Sequence, residues 1–234
     1  SFLFFAFYCK AAGGLLVLLA GGPGGAQNFL FDGGLHAAAK RLADNLGDRV
    51  RLEAPVVAVE QDADTISVTT ASGDAITARR LIMATPPPLA AQIAWEPGLS
   101  QDRRRLLEKQ TMGSTIKAWL AYDRPFWRDS NHNGFVMDDT SAFTPAFDAT
   151  PPGSDVGLIA GFFESVEGRS VAEDEPDARR EIAVRTLVRH FGPQAAEPLE
   201  YVDKDWTAEQ WSKGCYGAVM PPGVLTTVGH LMRK

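Results

Sequence analysis

DKDWTAEQWSKGCYGAVMPPG, Asp203 to Gly223, places two Trp, a Tyr and one of the chain's two Cys within 21 residues, around a Gly-rich turn. Gly214 and Gly217 flank Cys215 and Tyr216 and let the backbone come close to whatever lies opposite. A free thiol beside a Tyr on such a turn is a candidate contact for a flat ligand. The structural alternative is a buried thiol in a loop packed by aromatics.

Spacing decides between them. Trp206 precedes Cys215 by nine residues, Tyr216 follows directly, and Pro221 and Pro222 stand before Gly223. This pattern resembles the flavin-dependent monoamine oxidase family. The resemblance implies FAD as cofactor, joined covalently through the Cys215 sulfur as in the mitochondrial members, or held without a bond as in many bacterial ones. It implies Tyr216 as one wall of an aromatic cage around the substrate amine and Trp206 as a packing partner of the flavin. The string SKGCYG departs from the covalent members, which have a second Gly where this chain has Lys213. Covalent attachment requires a thiolate, so the Cys215 pKa is expected below its free value of about 8.5, with Lys213 either favouring the thiolate or facing solvent.

Upstream, TMGSTIKAWLAYDRPFW (111–127) alternates with period two. Thr115, Lys117, Trp119 and Ala121 fall on one strand face, and Ile116, Ala118, Leu120 and Tyr122 on the other. A Lys in so apolar a run costs several kcal/mol if it is buried as an unpaired ion. Either the strand lies at a sheet edge and the ammonium is exposed, or Lys117 is functional. The resemblance favours the second: a Lys in this position, after GSTI, holds a water against flavin N5.

The chain opens on SFLFFAFYCKAAGGLLVLLA, which has no initiator Met and no basic leader, and has Lys10 and two Gly in its middle. It suits neither a signal peptide nor a membrane span. The expectation is a fragment that starts inside a domain, on an aromatic-rich helix. GGPGGAQNFLFDGG (21–34) lacks the dinucleotide and Walker patterns. Its GGAQ string resembles the family's, which places Gln27 at the substrate cavity; a solvated turn is the alternative.

LHAAAKRLADNLG reads as an amphipathic helix ended by Gly47. RVRLEAPVVAVEQ, TISVTT and AITARRLIMAT read as strands around a turn at Ala71–Asp74, with a buried strand at Leu81–Ala84 before the Pro86–Pro88 run. By resemblance, the backbone of Val56 pairs with the adenine. Ser100 caps a charged helix over SQDRRRLLEKQ. Residues 128–155 form a surface excursion with a strand at Gly134–Met137, and DVGLIAGFFES is a core strand. EDEPDARREIAVRTLVRHFG is the clearest helix, opened by Pro176 and ended by Gly192.

At 234 residues and 45% hydrophobic, the chain can bury a full core. A net charge of −6 with scattered Lys and Arg argues against nucleic acid and suits cationic small molecules. Two Cys and four scattered His make no disulfide framework and no metal site. A reducing, cytoplasmic setting follows as the default.

The resemblance implies a two-domain α+β/α/β flavoprotein, incomplete in this chain. Substrate-domain pieces are expected at 1–31 and 107–208, and pieces of a Rossmann-like FAD domain at 32–106 and 209–234. The βαβ dinucleotide unit and the family's GTE segment are expected outside the chain. The implied reaction oxidises an amine with FAD and passes the electrons to dioxygen, giving hydrogen peroxide. A polyamine, putrescine or L-amino-acid oxidase on the same scaffold is the sister reading. A flavin-free interaction module is the alternative from a different class.

Overall fold

The computed structural model describes residues 31–233 together with 6, 9–11, 13–15, 17 and 29. Two compact units divide the chain, 1–57 with 68–76, and 58–67 with 77–234. The aromatic-rich opening and the GGAQ string lie largely outside the described residues.

In the first unit, α1 (Leu35–Leu46) ends at Gly47, whose φ is +54°. The expected apolar stripe forms, but it is not covered. No residue of α1 is buried, and Leu35 and Leu42 are 73% and 65% exposed. The strand expected from Arg49 starts only at Val56, after a 3₁₀ turn at Gly47–Arg49 and a positive φ at Glu53.

β1 (Val56–Gln61), β2 (Ile66–Thr70), β3 (Ala75–Ala78) and β4 (Ala94–Glu96) form a sheet in the order β3-β2-β1-β4. The turn at 71–74 is closed by Thr70 N donating to Asp74 O at 2.9 Å. Within the second unit, Ala58–Glu60 pairs in parallel with Ala94–Glu96. Leu81–Ala84 is not the buried strand expected. It is irregular, with Ile82 90% exposed, because it finds no strand partner among the described residues.

A short helix, α2 (Pro87–Ala90), precedes β4, and α3 (Gln101–Lys109) starts where Ser100 Oγ accepts the Arg103 amide at 3.3 Å. Next come β5 (Thr111–Met112), β6 (Thr115–Tyr122), β7 (Phe143–Asp148), β8 (Gly157–Glu164), α4 (Ser165–Ser170), α5 (Pro176–Phe191), β9 (Glu200–Asp205), β10 (Ala218–Val219) and α6 (Val224–Val228). The strand expected at Gly134–Met137 reduces to a single bridge between Val136 and Ala146. The asparagines and prolines around it give the backbone no longer ladder.

The main sheet is antiparallel, in the order β7-β8-β6-β9. One of its faces is closed. Ile116, Ala118, Leu120 and Tyr122 pack with Ile159 and Phe163 against Ala183 and Leu187 of α5, and all are at most 2% exposed. Each Ile, Leu and Phe among them contributes roughly 1.5–3 kcal/mol on burial. Pro176 opens α5 and Gly192, at φ +89°, closes it, as the sequence predicts. A buried ion pair ties α5 to β9: Arg179 Nε donates to Asp203 Oδ2 at 2.6 Å, and the Tyr201 hydroxyl donates to the same oxygen at 2.7 Å. With the core face committed to packing, the opposite face of the sheet carries the unusual residues.

Candidate active site

β6 is an interior strand, so Lys117 is not the exposed edge residue that its charge alone would suggest. Its register partners are Phe162 on β8 and Lys204 on β9. Directly opposed side chains share a face, so Lys117, Phe162 and Lys204 form one row, with Trp119 and Val202 in the next. The Lys117 ammonium lies 4.9 Å from the Trp119 ring centroid and 5.4 Å from that of Phe162. Burial lowers its pKa, and the neighbouring Cys215 acts weakly in the opposite direction. Two like charges face each other in this row, but their surroundings differ. Lys204 donates to Glu209 Oε2 at 2.7 Å and sits 5.7 Å over Trp206. Lys117 has the aromatic faces and, among the described residues, no carboxylate partner of its own.

The Cys215 turn is fastened to the start of β6. β10 pairs antiparallel with β5, Ala218 opposite Met112 and Val219 opposite Thr111. Beyond that ladder, Gly113 N donates to Gly217 O at 3.2 Å and Cys215 N donates to Gly113 O at 2.9 Å. The approach requires glycine on both sides. A Cβ on Gly113 would stand 2.3 Å from Cys215 O, and one on Gly214, whose φ is +132°, would stand 2.3 Å from Gly113 O. Thr115 Oγ1 donates to Cys215 O at 3.2 Å, and Trp206 N donates to Thr115 O at 3.1 Å. The peptide between Cys215 and Tyr216 is cis. Tyr216 is 70% exposed and meets Phe162 edge to face at 5.9 Å.

Glu164 completes the cluster. It sits opposite Thr115 at the end of β8, half-buried and on the sheet face of Phe162, and its charge acts on the Tyr216 hydroxyl. Burial raises the Glu164 pKa and moves the Tyr216 hydroxyl well above the usual phenol range. The Cys215 thiol is pushed up as well, chiefly by burial and against the expectation of an activated thiolate. Lys213 is exposed.

Lys117, Trp206, Cys215 and Tyr216 therefore come together in the second unit. Val56 opens β1 in the first unit and is 38% exposed, while Gln27 lies outside the described residues. Sequence reasoning passed over Phe162 and Glu164. The signal was available, since alternation through GFFE puts both on the face opposite the apolar Phe163. Among the described residues, no group of His, Cys, Asp and Glu could hold a metal, and no helix is long and apolar enough to cross a membrane.

A planar aromatic cofactor suits these residues. Exposed Tyr216 and Trp211 offer ring faces, and the Ser114 and Ser212 hydroxyl oxygens are buried without a partner among the described residues. Buried hydroxyls of that kind call for a hydrogen-bonding group from outside the described residues.

The family model for flavin containing amine oxidoreductases matches residues 2–234. The chain is 32% identical to amine oxidase [flavin-containing] A of Bos taurus and 33% identical to amine oxidase [flavin-containing] B of Homo sapiens; each match covers 100% of this chain and 45% of the relative. Among solved structures, cyclohexylamine oxidase from Brevibacterium oxydans matches with a TM-score of 0.92 at 31% identity, over 100% of this chain and 52% of that one. Putrescine oxidase bound to putrescine matches with a TM-score of 0.82 at 30% identity, over 86% and 45%. The chain thus spans about half the length of the relatives it matches.

Proposed function

The chain belongs to the flavin-containing amine oxidoreductases, and from that premise we propose that it supplies the amine-side face of an FAD-dependent amine oxidase. The observation that carries this reading is the aromatic row beneath the partly desolvated Lys117 ammonium, which has no carboxylate partner among the described residues, with the Cys215–Tyr216 turn laid against it.

FAD, when bound, accepts hydride equivalents from the α-carbon of the amine and passes the electrons to dioxygen, giving hydrogen peroxide. Trp206 and Cys215 would hold it, the latter through its sulfur, and Val56 would meet its adenine end. Gly113 and Gly214 let the Cys215 turn close against the start of β6, which sets where Cys215 and Tyr216 stand. Tyr216, steadied by Phe162, orients the substrate nitrogen with its exposed ring, and Gln27 lines the substrate side. The aromatic surroundings favour the uncharged amine once its proton has left. Lys117 Nζ, with its lowered pKa, holds a water and can exchange a proton with it.

On this reading, 1–31 and 107–208 belong to the substrate domain and 32–106 and 209–234 to the FAD domain. The unpaired Cys9 and Cys215 are in keeping with a reducing, cytoplasmic setting. The visible spectrum of the full-length protein tests the proposal. It should show bound flavin that bleaches anaerobically on addition of a primary amine and recovers in air with release of hydrogen peroxide. A colourless protein, or flavin that no amine reduces, refutes it.

A further inference from the structure

An aliphatic amine with a pKa of about 10 reaches a protein at neutral pH as its ammonium ion. Hydride leaves its α-carbon only when the nitrogen has a free lone pair, so one proton has to be removed at the site. Two lysines already face each other there, and the carboxylate of Glu209 is engaged by Lys204. A further cation entering this face needs a carboxylate to receive it.

Resting on the amine-oxidase reading, we infer that Glu164 receives the substrate as its ammonium ion and accepts the proton that leaves its nitrogen. Glu164 stands at the end of β8, opposite Thr115 and on the same sheet face as Phe162, whose ring meets the exposed Tyr216 ring edge to face. The step balances: one N–H bond breaks, its electron pair stays on nitrogen as the lone pair, and the proton forms an O–H bond on the Glu164 carboxylate. Solvent takes the proton afterwards from this half-buried group.

The other groups around the carboxyl are poorer acceptors. Tyr216 and Cys215 on the turn are both held in their neutral forms at pH 7. Thr115, opposite on β6, is neutral, and Lys117, two residues along that strand, is a base whose protonated form repels the ammonium. α4 begins at the next residue and places Glu167 and Arg169 in exposed positions. A raised pKa also makes Glu164 a stronger base than an ordinary carboxylate and narrows its mismatch with the amine.

The test uses the full-length holoenzyme, its Glu164→Gln and Glu164→Asp variants, and benzylamine as the probe, with anaerobic flavin reduction followed from pH 6 to 10. Glu164→Gln should raise the apparent KM about 10-fold or more at neutral pH and shift the acid limb of the reduction rate to higher pH. Its rates should approach wild type near the amine's own pKa, where solvent supplies the neutral amine. Glu164→Asp, which keeps the carboxylate, should restore most of the neutral-pH activity. A Glu164→Gln profile that overlays wild type overturns the inference, as does one depressed equally at every pH, or an Asp variant no better than Gln. Wild-type flavin that no amine reduces overturns the amine-oxidase reading itself, and this inference with it.

Discussion

Replacing Lys117 with Met separates a functional ammonium from a structural one. In stability the change is close to neutral. The two ring contacts, at 4.9 and 5.4 Å, contribute roughly 0.5–1 kcal/mol each at a half-buried site. Met has a similar length and returns sulfur–aromatic contacts of about 0.3–1.5 kcal/mol. It also removes the cost of keeping a charge among Trp119, Phe162 and Tyr216, so the net change should stay within about 1 kcal/mol. In activity the change is large. A positioned group that exchanges a proton with a bound water contributes about 10²–10⁴-fold, equivalent to roughly 3–5 kcal/mol of barrier. Stopped-flow absorbance of the full-length holoenzyme should show at least one half-reaction, flavin reduction by amine or reoxidation by dioxygen, slowed by about 10²-fold or more, with Tm nearly unchanged. Wild-type rates in both half-reactions, or a Tm loss that accounts for the lost activity, would refute the assignment.

Cys215 as the flavin attachment point predicts that acid precipitation of the full-length holoprotein leaves yellow colour in the pellet, and that Cys215→Ala moves it wholly to the supernatant. Flavin released from the wild type removes the link. Because burial raises the Cys215 pKa, the thiolate is scarce at pH 7, so reconstitution of the full-length apoprotein with FAD should attach flavin faster as pH rises towards 9 and beyond; a flat pH profile would contradict a thiolate mechanism. Asp203→Ala strands the Arg179 guanidinium, both side chains being 7% exposed in the wild type, and should cost about 3–5 kcal/mol, read as a fall of roughly 6–20 °C in Tm. The double change with Arg179→Leu should recover a good part of that loss. A single variant within about 1 kcal/mol of wild type would show that the pair is not needed to fix β9.

Much of the second unit could be read from local pattern. The alternation of TIKAWLAY gives β6 and both its faces, and Pro176 and Gly192 bracket α5 because each residue's backbone preference is intrinsic. Pairing between distant segments is not encoded locally, and there the sequence was less informative. Nothing near Lys117 shows that β9 and β8 flank β6, which is what rules out the edge alternative for this lysine. Leu81–Ala84 has the composition of a buried strand, yet a strand needs a partner's backbone groups as well as apolar side chains. The Cys215 turn was singled out by composition. What it touches depends on the bonds to Gly113 and Thr115, about 100 residues earlier in the chain.

That long-range fastening explains why the site lies where it does. An antiparallel sheet with both faces buried would have no room for a ligand, and one with both faces wet would not hold its register. Here α5 covers one face, and the Arg179–Asp203 pair fixes β9 against it. Alternation then determines the opposite face: with Tyr201 and Asp203 turned to α5, Val202 and Lys204 must turn away, in line with Trp119 and Lys117. Trp206 follows one residue beyond β9, its amide held by Thr115 O, and Thr115 also holds Cys215 through its carbonyl. The lysine row, Trp206 and the Cys215–Tyr216 turn are thus referred to one strand, β6, whose other side is locked in the core. A shift of β6 by one residue would bury Lys117 and expose Ile116, so the packing that stabilises the sheet also positions the groups assigned to the chemistry.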